Sequence, residues 1–184
     1  METRPDLGAI ITPAQGNIIP RTRTMIDNGC FTQPDRFDVV KYRALCQKHS
    51  DAKFATVPDV VGDWDATLTK WELFDKDDWP CPLALVIQDG ATGATVPWGD
   101  TEAIFIGGST EWKLGADAAL ISREAKERGL WVHMGRVNSC RRLQYADFIG
   151  CDSADGTYLI FGPDINLPKL VRWLETVNRQ QRIL

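Results

Sequence analysis

The chain has 184 residues, 43% hydrophobic and 25% charged, with a formal charge of -4 and a pI near 5.2. That size and balance suit one ordinary globular domain over residues 1–184, long enough to bury a substantial core. No apolar run approaches the roughly 20 residues that span a bilayer, which excludes a transmembrane helix, and the acidic balance argues against broad, charge-driven nucleic-acid binding.

Met1 to Asp6 is charged and carries no apolar segment before a small-residue cleavage site, so a secretory leader is not expected and a cytoplasmic location is. Short, mostly continuous apolar runs then predict strands at Gly8 to Thr12 and Thr24 to Ile26. Phe37, Val40 and Ala44 recur at helical spacing, and Lys53 to Val57 reads as the next strand. Val61, Trp64, Leu68 and Trp71 predict a second helix, followed by a strand at Leu83 to Ile87. Gln88 to Glu102 is Gly-rich and holds no helix longer than about a turn. A strand at Ala103 to Ile106 leads into a helix carrying Leu114, Ala118, Ile121 and Ala125, with Thr110 as its cap. Strands are expected at Leu130 to Met134 and Asp147 to Cys151, with a weaker eighth at Thr157 to Phe161. The last helix carries Leu167, Leu170, Leu174 and Val177, with Asn166 as cap and Pro168 in its first turn.

Alternating strands and helices predict an α/β fold with a mainly parallel sheet, and up to eight strands predict a (β/α)8 TIM-like barrel. Such barrels typically need about 250 residues, so this one would be compact, with minimal helices. The five cysteines Cys30, Cys46, Cys81, Cys140 and Cys151 are odd in number and unpaired in spacing, which predicts reduced thiols. Only two histidines, His49 and His133, and no Cys-x-x-Cys pair leave no metal site to propose. Neither the dinucleotide nor the NTP glycine motif is present, and no cofactor is expected.

A barrel of this kind works at the C-terminal ends of its strands. Those ends read Asp27-Asn28-Gly29, Pro58-Asp59, Gln88-Asp89-Gly90, Gly107-Gly108, His133-Met134-Gly135-Arg136 and Cys151-Asp152-Ser153. An aspartate after a strand is also a routine turn or cap residue. Three of them, Asp27, Asp59 and Asp152, end different strands directly after apolar runs; with a glutamine and a Gly-Gly at other ends they predict a shared carboxylate-lined pocket. Two carboxylates facing one pocket can displace a group at an anomeric carbon, one as nucleophile and one as acid/base. A third carboxylate with a Gln amide can read the edge of a nucleobase. His133 offers a general base or a structural hydrogen bond. Arg136, Arg141 and Arg142 form a basic cluster that could touch phosphate or simply be solvated.

At these residues the sequence resembles the tRNA-guanine transglycosylase superfamily, and most closely its small, often phage-encoded DNA 7-deazaguanine transglycosylases. Ile26-Asp27-Asn28-Gly29-Cys30-Phe31 is similar to the family's Asp-Ser-Gly-Gly-Phe, and Val86-Ile87-Gln88-Asp89-Gly90 to its Val-Gln-Gly-Gly. Phe105-Ile106-Gly107-Gly108 resembles Gly-Gly-Leu, and His133-Met134-Gly135-Arg136 resembles Met-Gly-Val-Gly. The segment Tyr145 to Ser153 resembles Gly-Ile-Asp-Met-Phe-Asp-Cys. The family's zinc subdomain and basic tRNA-binding insertion have no counterpart.

The resemblance implies an enzyme, a glycosyltransferase that replaces guanine with a 7-deazaguanine base, in DNA or in a nucleoside or nucleotide. It puts Asp152 at the nucleophile position and Asp27 at the acid/base position. Asp59, Gln88, Gly107, Gly108, Met134, Gly135, Asn28, Asp89 and His133 would surround the base. Arg136, Arg141 and Arg142 would meet the nucleic acid. A purine N-glycosidase and a non-catalytic nucleobase-binding barrel are the alternatives. With so short and acidic a chain, a polymer would be gripped by a small local patch, a second copy of the chain or a partner protein.

Overall fold

The computed structural model of the chain describes residues 6–14, 23–32 and 36–181. Met1 to Pro5, on which most of the leader expectation rests, lie outside them. The described residues form one seven-stranded parallel sheet in chain order. Its strands are β1 (Gly8–Ile11), β2 (Arg23–Ile26), β3 (Ala55–Thr56), β4 (Leu83–Ile87), β5 (Ala103–Ile106), β6 (Trp131–Met134) and β7 (Ser153–Ala154). Registers run Ile11↔Ile26, Ile26↔Ala55, Ala55↔Leu83, Ile87↔Ile106, Ile106↔Met134 and Met134↔Ala154.

Side chains alternate between two cores, as the period of a strand requires. Ile11, Ile26, Leu83, Leu85, Ile87, Ile104, Ile106, Val132 and Met134 face outward into the larger core beneath the helices. Met25, Phe54, Ala84, Val86, Ala103 and Phe105 face inward, with Ile10 and Trp131 packed against them. Both faces are therefore buried, which is why these strands read as unbroken apolar runs. The inward set brings β1 through β6 around one small core, so the sheet curls into a half-barrel.

The helices are α1 (Val39–Lys48), α2 (Trp64–Leu73), α3 (Thr110–Lys113), α4 (Ala116–Glu127), α5 (Cys140–Phe148) and α6 (Pro163–Gln181). Asp38, Asp63, Ser109 and Ser139 cap α1, α2, α3 and α5 by accepting first-turn N–H groups. Ser109 rather than Thr110 is the cap, and the helix expected beyond it breaks at Gly115 into α3 and α4. Two single 3-10 turns, Gly93–Thr95 and Trp98–Asp100, occupy the Gly-rich loop. Helix α6 begins at Pro163, so Asn166 and Pro168 lie inside it. The Asn166 amide donates to the carbonyls of Tyr158 and Phe161, 2.9 and 2.6 Å away, and ties the preceding loop to the helix.

Three expectations about the strands are corrected. The α/β, all-parallel character stands, but the sheet is a curled half-barrel of seven strands and not a closed (β/α)8 barrel. Thr157 to Phe161 is a turn, closed by Ile160 N–H donating to the Thr157 carbonyl at 2.9 Å, with Ile160 and Phe161 exposed. Asp147 and Phe148 belong to the last turn of α5, and the strand lies later, at Ser153–Ala154. The physical reason is local. Ala146 and Ile149, three apart, are buried while Phe148 is exposed, which is helical spacing, and Gly150 at φ 90° ends the helix. Among the described residues no helix is long and apolar enough to cross a membrane.

Candidate active site

The C-terminal ends of the strands surround a cavity of about 440 Å³. Asp27, Asn28, Asp59, Gln88, Gly107, Gly108 and Arg136, all picked from the sequence, line it. After β2 the chain makes two consecutive Asx turns. The Asp27 carboxylate accepts from Gly29 N–H at 2.6 Å, and the Asn28 carbonyl accepts from Cys30 N–H at 2.7 Å. Gly29 sits at φ 77°, a conformation that a side chain would strain. This turn aims Asp27 into the cavity and turns Asn28 toward β3.

Asp59 is 7% exposed and both its oxygens are engaged. Asn28 Nδ2 donates to Oδ1 at 3.0 Å, and Gln88 Nε2 donates to Oδ2 at 2.7 Å. Gln88 Oε1 accepts from the N–H groups of Gly62 and Gly108, each at 2.9 Å. A Cβ on Gly107 would lie 2.9 Å from Gln88 Nε2 and 3.0 Å from Val86 Cγ1, so the glycine is what lets the amide lie flat against β5. Asp59, Gln88 and the Gly108 N–H thus form one acceptor–donor surface, self-satisfied here, that a heterocycle with complementary edges can take over.

The structure corrects the placement of Asp152. It precedes β7, pairs with Lys126 at 2.7 Å, accepts from Val132 N–H at 2.8 Å, and borders a separate hollow at the opposite end of the strands with Gly8, Arg23 and Trp131. Three residues later, Asp155 follows β7 and lines the cavity. An odd separation along an extended strand puts two side chains on opposite faces. Ser153 and Asp155 face inward; Asp152 and Ala154 face outward. Asp152 cannot share a substrate with Asp27, and Asp155 can.

Burial dominates the electrostatics. It raises Asp27 from its ordinary 3.8 to about 6; the Gly29 N–H opposes this, and the charges of Asp59 and Asp155 add to it. Burial also raises Asp59, against the hydrogen bonds from Asn28 and Gln88. Opposite these carboxylates, the Arg136 guanidinium donates to the Gly108 carbonyl and lies 4.8 Å over the Phe31 ring. Arg136 holds φ 60°, a left-handed conformation rare outside glycine. Lys113 from α3 is buried at 1% exposure, donates to the Gly135 carbonyl at 2.6 Å, and has a pKa lowered to about 8 by burial and then by Arg136.

The remaining sequence candidates do not reach the cavity. Met134 is fully buried in the outward core, and a Cβ on Gly135 would point into the Phe105 ring, 2.7 Å from its Cε1. His133 is fully buried inside the half-barrel and touches Asp155 rather than the cavity. Asp89 accepts from the Ser109 N–H and hydroxyl; burial pushes its pKa up, but these bonds outweigh that and hold it below the usual range. Arg141 and Arg142 lie in the first turn of α5, outside the lining, with Arg142 close enough to Lys113 to depress it. Burial raises the thiols of Cys30 and Cys151, the latter to about 12, which fits inert reduced cysteines. Asp155, Phe31 and Asn138 also line the cavity, and none of them is singled out by the strand ends. For Asp155 a signal was present, since Asp152 and Asp155 repeat the three-residue spacing of the two aspartates in Gly-Ile-Asp-Met-Phe-Asp-Cys. No protein-family model and no curated protein matches the chain.

Proposed function

We propose that the protein exchanges a purine base at an N-glycosidic bond, replacing guanine with a 7-deazaguanine, with DNA as the substrate that best fits the resemblance. The observation that carries this reading is the meeting of Asp27, Asp155 and the Asp59–Gln88–Gly108 surface around one cavity. Asp155 takes the nucleophile role first assigned to Asp152. Its carboxylate forms a bond to the anomeric carbon as the C–N bond breaks, and that electron pair leaves on the base. Asp27, whose raised pKa keeps it protonated below about pH 6, gives its proton to the departing nitrogen. The incoming base returns a proton to the Asp27 carboxylate as its nitrogen attacks the same carbon and releases Asp155. Two displacements retain the anomeric configuration.

Asp59 accepts from N–H groups on the edge of the base, while Gln88 and the Gly108 N–H complete the reading. Binding must exchange their present mutual hydrogen bonds for bonds to the base. A base inside duplex DNA must first leave the stack.

The test offers DNA, tRNA and nucleosides, each carrying labelled guanine, together with unlabelled 7-deazaguanine. Loss of label from DNA with the 7-deazaguanine incorporated in its place and no abasic site supports exchange. Free guanine plus an abasic site replaces the proposal with a glycosidase. Tight 7-deazaguanine binding by calorimetry with no loss of label from any pool reduces the protein to a nucleobase-binding barrel.

A further inference from the structure

Behind Asp155 runs a chain of polar side chains inside an otherwise apolar core. His133, fully buried, lies between Phe54 and Phe105, with ring centroids 5.4 and 4.8 Å away. Its Nε2 is 3.0 Å from Asp155 Oδ1, and its Nδ1 is 2.8 Å from Ser153 Oγ. Trp131 Nε1 donates to the same Ser153 oxygen at 2.9 Å. His133 and Ser153 are register partners on β6 and β7, so the contacts follow from the sheet itself.

The two ends of this chain have fixed polarity. An indole N–H only donates, and a carboxylate only accepts. Trp131 therefore obliges Ser153 Oγ to accept, and Asp155 obliges His133 Nε2 to carry a proton. A neutral ring then leaves Nδ1 as an acceptor, and the Ser153 hydroxyl is the donor that satisfies it. With that single arrangement the Trp131 indole N–H, the Ser153 hydroxyl, both His133 nitrogens and Asp155 Oδ1 all have partners. A doubly protonated ring would instead turn the Ser153 hydroxyl away toward Met25 Sδ, 3.6 Å off, and exchange a good acceptor for a weak one.

We infer that His133, held as its Nε2–H tautomer by Ser153 and Trp131, is a positioning residue for Asp155. It pins Oδ1 and leaves Oδ2 to face the substrate. Arg136 N–H, at 3.3 Å, falls on the same Oδ1. When Oδ2 bonds to the anomeric carbon, Oδ1 becomes the ester carbonyl and keeps the His133 hydrogen bond. When the ester is displaced, the same bond receives the returning carboxylate charge. His133 gives up no proton in either step. This inference rests on the transglycosylation reading for its function, though not for its geometry.

Nitrogen NMR on histidine-labelled protein tests the geometry, with the His133→Gln spectrum assigning His133 against His49. A pyrrole-type Nε2 and a pyridine-type Nδ1 are expected. A doubly protonated ring, or a proton on Nδ1, overturns the inference whatever the activity. Kinetics test the role. His133→Leu should slow formation of the Asp155 adduct roughly 100-fold, the usual cost of a misplaced reacting group. Guanine affinity by calorimetry should stay within about twofold, because His133 does not line the base surface. His133→Gln, whose amide can reach the Nε2 position, should recover most of the lost rate. Wild-type rates in His133→Leu, or equal losses in the Leu and Gln variants, overturn the positioning role. If wild-type protein exchanges no base at all, the transglycosylation reading falls, while the NMR pattern still decides the tautomer.

Discussion

Asp27 carries the sharpest conflict between stability and chemistry. Burial raises its pKa from 3.8 to about 6, so the fold favours its protonated form. That stabilisation is complete below about pH 4 and is lost as pH rises through about 6. Ionised Asp27 therefore costs stability at neutral pH. Asp27→Asn should raise the thermal midpoint at pH 7 by an amount equivalent to about 1–3 kcal/mol. At pH 4 the gain should vanish, and scanning calorimetry at the two pH values checks both signs. The same group, acting as acid, gives kcat/KM a limb that falls above about pH 6; a profile flat from pH 5 to pH 8 would remove Asp27 from the acid role. The two aspartates around β7 separate just as cleanly. Asp155→Asn should lower exchange by roughly 10⁴-fold or more. Asp152→Asn should leave turnover intact and lose about 1 kcal/mol or less, since its pair with Lys126 is partly exposed and solvent-screened. Adduct mapping by mass spectrometry should find the sugar on Asp155; an adduct on Asp152 would reverse the assignment.

Strands β4 and β5 set the base-reading surface through one close approach. Gly107→Ala puts a methyl against Gln88 Nε2 and Val86 Cγ1, and should cost about 1–3 kcal/mol by overpacking. Displacing the Gln88 amide also leaves Asp59 short of a donor, so guanine affinity should fall by more than about tenfold. Calorimetric titration reads this directly, and unchanged affinity would show that Gln88 does not read the base. Strands and helices were legible to different degrees. The apolar runs of β1, β2, β4, β5 and β6 are visible because a two-sided sheet needs continuous hydrophobicity. Strand β7 was hidden because its two residues, Ser and Ala, bury little and pair only with His133 and Met134. The more apolar stretch just before it drew the strand assignment, yet it completes α5. That slip of three residues exchanged Asp155 for Asp152, because an odd slip changes the face.

At the scale of the molecule, seven strands make a half-barrel whose inward layer still closes over Phe54, Phe105 and His133. The site needs only those strand ends, so a full ring of eight is not required to assemble it. A net charge of -4 leaves little general attraction for a polyanion. Arg136 at the cavity with Arg141 and Arg142 on α5 is the basic patch that the DNA reading relies on. Three phosphate contacts would give a log–log salt slope no steeper than about −3 for oligonucleotide binding, readable by fluorescence anisotropy. A slope near zero would exclude the patch as a phosphate contact, and one twice as steep would require a larger surface than this chain supplies.

The sequence by itself determined the α/β class, the parallel order of short buried strands, and six strand ends of which five reach the cavity. It could do so because strand hydrophobicity, turn residues and glycine positions are local properties of the chain. Only the tertiary structure decided which aspartate of the pair around β7 faces inward, that His133 backs that aspartate instead of the ligand, and that Lys113 lies buried beside Arg136. Each of these depends on which face of the sheet a side chain occupies and on what packs behind it. Both are fixed by neighbours distant in sequence.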